Sequence, residues 1–218
     1  MPLLKIKALK NNSQLLVWKI TESFQELFSS VDLKEASLAR LNNMKSESHQ
    51  KGFISVRLLL MEQGYSDFDL FYDEFGKPHL KDGKHISISH SNDFSIIVLS
   101  DKNIGADLEI LKDKTLKLAP RFMNVSHLNN LDIASQLKKA TVVWGIKESV
   151  FKIKNEVGIS FKDHIFENEF LLADKKCSVA LRFNLKVEYF DILFDFIEEY
   201  VFVCAFESKE NNTKSRIT

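Results

Sequence analysis

Asp107 and Glu109 stand two residues apart in the run Ile104-Gly105-Ala106-Asp107-Leu108-Glu109. On a strand, side chains at i and i+2 leave the same face, so these two carboxylates point one way, about 7 Å apart at Cβ. A pair so placed can converge on one hard cation, with oxygens at about 2.1 Å from it. A solvated strand end carries the same pattern, and for such a pair taken alone that is the commoner outcome. A second pair follows in Trp144-Gly145-Ile146-Lys147-Glu148-Ser149-Val150-Phe151-Lys152. Glu148 and Lys152 are four apart, in the acid-before-base order that suits a helix. With Val143, Ile146, Val150 and Ile153 on an apolar stripe, about 100° per residue puts Glu148 and Lys152 roughly opposite it. An ordinary surface ion pair, contributing only tenths of a kcal/mol, would look alike. Trp144, one turn earlier, argues that this face is not simply bathed in water.

Two further stretches carry polar chemistry. In Phe75-Gly76-Lys77-Pro78, Lys77 sits on a turn and is suited to holding a phosphate, although surface lysines are common. In Ile86-Ser87-Ile88-Ser89-His90-Ser91, no Gly-x-Ser-x-Gly elbow surrounds Ser89 and no acidic partner for His90 is identifiable, so these two do not form a nucleophile and base. His49, His127 and His164 show no ligand spacing. Cys177 and Cys204 lack metal spacing and read as reduced thiols.

The elements that must position these groups follow from periodicity. Leu3 to Leu9 and Leu15 to Ile20 read as strands joined at Asn11-Asn12-Ser13. Thr21 or Ser23 caps a short helix, Asp32 opens a second, and a third spans about Ser46 to Gln63, ending at Gly64. Phe68–Tyr72, His85–His90 and Phe94–Leu99 read as strands, the last buried on both faces. Ile104–Glu109 is a strand; Leu111 to Gln136 mixes helix and loop around Pro120; a long helix covers about Ile133 to Lys154. Strands are then expected at Phe170–Leu172, Val179–Phe183, Lys186–Phe190, Ile192–Ile197 and Tyr200–Phe206, with a polar, disordered tail from Ser208.

The 218 residues make one large domain or two small ones. Lys plus Arg and Asp plus Glu both number 30, so no basic surplus points to nucleic acid. No apolar run is long enough to span a bilayer and no basic-then-apolar leader is read at the start, so a soluble cytoplasmic protein is expected. Each half runs strands, helices, strands and closes on a strong apolar strand.

In this order and spacing the four stretches resemble the 4′-phosphopantetheinyl transferases, and length and strand ending are similar to the Sfp-type, surfactin-synthetase-activating monomeric branch. The resemblance implies an α+β pseudo-dimer of two similar α+β halves packed around a coenzyme A cleft, here residues 1–102 and 103–207, with 208–218 as tail. It implies transfer of the phosphopantetheine arm of coenzyme A to a serine of an acyl or peptidyl carrier protein, with Mg²⁺, releasing adenosine 3′,5′-bisphosphate. Asp107, Glu109 and Glu148 match the family's metal ligands, Glu148 also its proposed general base, and Lys152 the lysine near the pyrophosphate. Lys77, Ser89 and His90 match residues at the nucleotide end of coenzyme A. Arg40 falls where a basic residue for the 3′-phosphate is frequent.

The chain departs from that pattern in places. Ala106 replaces Val or Ile; Gly145 replaces Ser, Thr or Cys, at a helix-propensity cost of roughly 1 kcal/mol; His127 stands where Glu is common; Met61 replaces a frequent Arg. None of these removes a metal-ligand match, so an active transferase is expected; a non-catalytic coenzyme A- or carrier-binding relative is the alternative. Between Leu111 and Gln136, Leu116, Leu118, Phe122, Met123 and Leu128 alternate with Lys112, Lys114, Lys117 and Arg121, either as core under solvated lysines or as a face for an acidic carrier.

Overall fold

The computed structural model describes residues 3–208, so all of the expected tail beyond Ser208 lies outside the described residues. The chain is mixed α and β, divided into two compact units that meet in sequence at Lys102 and Asn103.

The first unit starts with β1 (Leu3–Ala8) and β2 (Gln14–Lys19), paired antiparallel. Three helices follow: α1 (Phe24–Ser29), α2 (Glu35–Asn42) and α3 (Glu47–Met61). A small hairpin, β3 (Leu70–Tyr72) with β4 (Pro78–Leu80), precedes β5 (His85–Ser91) and β6 (Phe94–Ser100). The main sheet has the order β1-β2-β6-β5. Every residue of β6 is buried, as its unbroken apolar run predicts. Leu16, Phe53, Ile54, Leu59, Leu60 and Ile97 belong to one apolar core.

The helix expected to open at Asp32 instead begins at Glu35, three residues later. The reason is tertiary. Asp67, itself 3 % exposed, accepts from the Lys34 backbone N–H at 3.1 Å and from Ser37 Oγ at 3.0 Å. A distant carboxylate thus satisfies a helix-start donor that a local cap would otherwise take. Arg57 Nε donates to the same carboxylate at 2.9 Å, so α2 is tied to α3 through a buried charge pair.

The second unit opens with β7 (Ile104–Ile110) and α4 (Asp113–Leu118). Two short 3₁₀ turns, Ala119–Arg121 and Val125–Leu128, lead into α5 (Ile133–Lys154), whose bounds match the expected helix. Asp132 caps it by accepting from the Ser135 N–H at 3.0 Å. After α6 (Phe161–His164) come β8 (Ile165–Glu167), β9 (Lys176–Phe183), β10 (Lys186–Ile197) and β11 (Tyr200–Glu207). The sheet order is β7-β11-β10-β9-β8, with every pairing antiparallel.

Two strand expectations need correction here. Lys186–Phe190 and Ile192–Ile197 are one continuous strand, and the segment expected as strand at Phe170–Leu172 is not one: Leu172 begins a 3₁₀ turn. The neighbouring strand is β8, which pairs Ile165, Phe166 and Glu167 with β9. In the mixed segment Phe122, Met123 and Leu128 are core and Leu116 and Leu118 are partly buried against it, while Lys112, Lys114, Lys117 and Arg121 are exposed.

Candidate active site

The site is built where α5 lies on β7. Val143, Ile146, Val150 and Ile153 are at most 2 % exposed, so the expected apolar stripe is buried. The rest of the helix middle is buried too, including Lys139, Thr141, Lys147 and Ser149. A helix covered nearly all round is an interior helix rather than a surface one. Glu148 and Lys152 accordingly are half-buried.

Two glycines permit the close approach. A Cβ on Gly105 of β7 would fall 1.9 Å from the Ser149 carbonyl oxygen. A Cβ on Gly145 would fall 2.6 Å from Val203 Cγ2, and Val203 is the register partner of Asp107. No side chain larger than hydrogen fits at either point. Gly145, read from the sequence as a propensity loss, is therefore a packing requirement of this chain.

This contact sets the carboxylates. Asp107 is 4 % exposed, and its Oδ1 lies 2.8 Å from Lys152 Nζ. The same ammonium donates to the Ala106 carbonyl at 2.9 Å. Glu109 Oε1 accepts from the Trp144 indole N–H at 3.1 Å. Burial pushes the Glu109 carboxyl up to about 7; Asp107 adds to the rise, the indole hydrogen bond opposes it, Glu148 adds again and Lys152 opposes. Glu148 is likewise raised, by burial first and by Asp107 second, with Lys152 offsetting part. The three carboxylates therefore share one electrostatic neighbourhood, in which ionising one disfavours ionising the next.

The donor set suits a hard divalent cation: carboxylate oxygens, no soft ligand, and excess negative charge. Among the described residues, however, no three His, Cys, Asp or Glu side chains are gathered tightly enough to close a metal shell. Mg²⁺ is typically held by one or two carboxylates together with phosphate oxygens of a substrate.

The four expected nucleotide-end residues lie in the first unit. The Arg40 guanidinium sits 4.7 Å from the Tyr72 ring centroid and 5.6 Å from that of Phe53. Lys77 stands on the turn between β3 and β4, its backbone N–H donating to Asp73 Oδ1 at 2.9 Å. On β5, Ser89 is half-buried and His90 exposed. The His90 ring lies against Gly52 of α3, where an added Cβ would meet it at 3.0 Å. The next residue of α3, Phe53, carries Arg40, so α3 relates Arg40 to His90. Tyr72 and Phe53 had no signal in the sequence beyond being aromatic.

Sequence reading also missed a buried charge network. Lys147 Nζ donates to the Ile165 carbonyl and pairs with Glu167, both side chains at most 3 % exposed. His127 Nδ1 lies 3.4 Å from the other oxygen of Glu167. Burial lowers the Lys147 ammonium, and the Glu167 charge works against that. These three residues line a cavity of about 460 Å³ with Pro120, Met123 and Phe166. The signals were Lys147 within the Trp144–Lys152 run and His127 where Glu is common; Glu167 falls in the strand that was not expected.

No family model matches the chain. Individual relatives do. Over 118 residues it is 30 % identical to 4′-phosphopantetheinyl transferase Sfp of Bacillus subtilis (strain 168), covering 50 % of this chain and 53 % of that protein. Over 143 residues it is 29 % identical to 4′-phosphopantetheinyl transferase ffp of Bacillus subtilis, 60 % of this chain and 63 % of the relative. The transferase gsp of Aneurinibacillus migulanus is 30 % identical over 83 residues, 37 % of this chain and 35 % of that one. The matched stretch thus spans about a third to just under two thirds of these relatives. On these matches the chain is a distant homologue of the Sfp-type 4′-phosphopantetheinyl transferases.

Proposed function

We propose that the chain transfers 4′-phosphopantetheine from coenzyme A to a serine of an apo acyl or peptidyl carrier protein, Mg²⁺-dependently, and releases adenosine 3′,5′-bisphosphate. The observation that carries this is the group of buried Asp107 with half-buried Glu109, Glu148 and Lys152, held between β7 and α5. In this reading the two units are similar halves of a pseudo-dimer. Its support is that each has an antiparallel sheet and one principal buried helix, α3 in the first and α5 in the second.

Asp107, Glu109 and Glu148 would hold the metal, whose charge when bound neutralises pyrophosphate oxygens. Attack on a pyrophosphate needs positioning and charge neutralisation more than covalent help. The serine oxygen forms a bond to the phosphorus that bears pantetheine, and the bond from that phosphorus to the bridging oxygen breaks. The nucleotide bisphosphate leaves with that oxygen. Glu148 takes the serine proton, a role that burial favours by raising its carboxyl above the ordinary carboxylate value. Lys152 supplies a positive charge to the phosphate oxygens. Lys77, Ser89, His90 and Arg40 bind the nucleotide end. The exposed Lys112, Lys114 and Lys117 attract an acidic carrier surface.

The test is incubation with coenzyme A, Mg²⁺ and an apo carrier, reading the carrier by mass. A gain of about 340 Da, the phosphopantetheine increment, is expected for this phosphoryl attack. Coenzyme A binding without any mass gain on acyl or peptidyl carriers would instead identify a non-catalytic binder.

A further inference from the structure

Trp144 touches the carboxylate group, yet the chemistry above gives it no task. Its Nε1 donates to Glu109 Oε1 at 3.1 Å. The ring is clamped on two sides. Phe122, itself 2 % exposed, meets it edge-on at 5.1 Å and 69°; Phe161 meets it at 5.5 Å and 63°. Phe161 is in turn 5.9 Å from Phe151 of α5. The indole is thus fixed by packing rather than by the hydrogen bond it makes. An indole N–H only donates, so the partner oxygen must accept. The indole takes up one of the two lone-pair sites of Glu109 Oε1, which leaves Oε2 the less encumbered oxygen for a cation.

That difference has chemical content. Ca²⁺ takes six to eight oxygens at about 2.3–2.6 Å and readily uses both oxygens of one carboxylate. Mg²⁺ requires near-octahedral geometry at about 2.0–2.1 Å and takes single oxygens. We propose that Trp144 is a positioning residue that commits Glu109 to one-oxygen ligation, and so biases this site toward a small divalent cation over a large one. The inference rests on Glu109 being a metal ligand, as in the function proposed above. A merely packed tryptophan would support the fold and leave the choice of ion untouched.

The experiment measures Mn²⁺ binding by the full chain with coenzyme A present, from the electron paramagnetic resonance of free Mn²⁺. Mg²⁺ and Ca²⁺ are then titrated as competitors. Trp144→Phe keeps a ring between Phe122 and Phe161 and removes only the N–H. The ratio of the Ca²⁺ to the Mg²⁺ dissociation constant should fall by about tenfold, the size usual when a group supporting a metal ligand is lost. If Trp144→Phe does not fold, Phe161→Leu carries the test, since it keeps the N–H but loosens the clamp; the ratio should fall in the same direction by a smaller factor. An unchanged ratio overturns the proposal. It leaves the metal reading standing provided Glu109→Gln still weakens Mn²⁺ binding. Mn²⁺ binding that is absent from the parent chain, or unaltered by Glu109→Gln, overturns the ligand role of Glu109 and the inference with it.

Discussion

Lys152 Nζ lies 2.8 Å from Asp107 Oδ1 and 2.9 Å from the Ala106 carbonyl oxygen, so one ammonium ties α5 to both the side chain and the main chain of β7. The lysine occupies an oxygen that a cation would also seek. In the proposed function, binding of a divalent ion and redirection of Lys152 toward phosphate oxygens would thereby be coupled.

Separate roles for the charged groups should show in the Mg²⁺ dependence of single-turnover transfer at saturating coenzyme A and carrier. Lys152→Ala should slow transfer by about a hundredfold, roughly the loss of one charge-stabilising donor, without raising the Mg²⁺ requirement. Asp107→Asn should be largely rescued by excess Mg²⁺. Glu148→Gln should not, because the base is lost as well as a ligand. Full-rate transfer by Glu148→Gln at high Mg²⁺ would leave that residue only a metal role.

Gly145→Ala sets helix propensity against packing. Alanine gains about 1 kcal/mol as a helix former, but its Cβ would meet Val203 Cγ2 at 2.6 Å. Overpacking of this kind costs about 1–3 kcal/mol. Urea denaturation should therefore show a net loss, recovered in part by Gly145→Ala with Val203→Ala. Gly105→Ala should cost more, on the order of 3 kcal/mol or above, because the atom in its way is a main-chain oxygen that cannot rotate aside. Equal stability of Gly145→Ala and the parent chain would show that β11 yields at Val203.

Much of this site was legible in the sequence, for local reasons. Asp107 and Glu109 sit on a strand whose alternation is complete, and α5 carries an uninterrupted helical pattern from a capping Asp132. What escaped notice depends on contacts distant in sequence. The start of α2 is set by Asp67, 33 residues from the N–H it accepts. β8 is three residues long and owes its existence to pairing with β9, so no period could announce it. The strand expected at Phe170 failed because the segment is irregular up to the 3₁₀ turn at Leu172, and the Phe170 carbonyl accepts from Lys139 Nζ at 3.0 Å rather than from a neighbouring strand. Glu148 and Lys152 do lie opposite the apolar stripe, and that side is half-buried, in keeping with Trp144 one turn earlier.

Arg40 gives a test of nucleotide recognition. Tyr72 and Phe53 hold its guanidinium over their rings, which favours a charged group already ordered before ligand arrives. The parent chain should bind coenzyme A more tightly than 3′-dephospho-coenzyme A by about 1.5–3 kcal/mol, the range of a charge-assisted contact. Arg40→Ala should erase most of that difference, and Tyr72→Leu part of it. Calorimetric titration of both nucleotides checks this; equal affinity in the parent chain would remove the 3′-phosphate role.

Cys177 supplies a pH prediction remote from the carboxylates. Burial, with a smaller contribution from the Glu167 charge, pushes its thiol up to about 12. The folded value lies above the unfolded one of about 8.5, so the stabilisation is complete below the unfolded value and is lost as pH rises toward the folded one. Stability should fall between about pH 8.5 and 12 more steeply in the parent than in Cys177→Ala. At pH 8 the partly buried Cys177 of the folded chain should react with a thiol reagent more slowly than an unperturbed thiol. Rapid labelling of that residue without unfolding would contradict this.

The contact of Gly105 with Ser149 places main chain on main chain, with no side chain as a spacer. A gap filled by side chains can be retuned by a rotamer; this one cannot. The separation between the main chains of β7 and α5 at this point can change only if the 22-residue α5, a rod about 33 Å long, shifts along or away from the strand. Its slack is then that of a bearing rather than a hinge, and any adjustment at the carboxylates falls to their side chains.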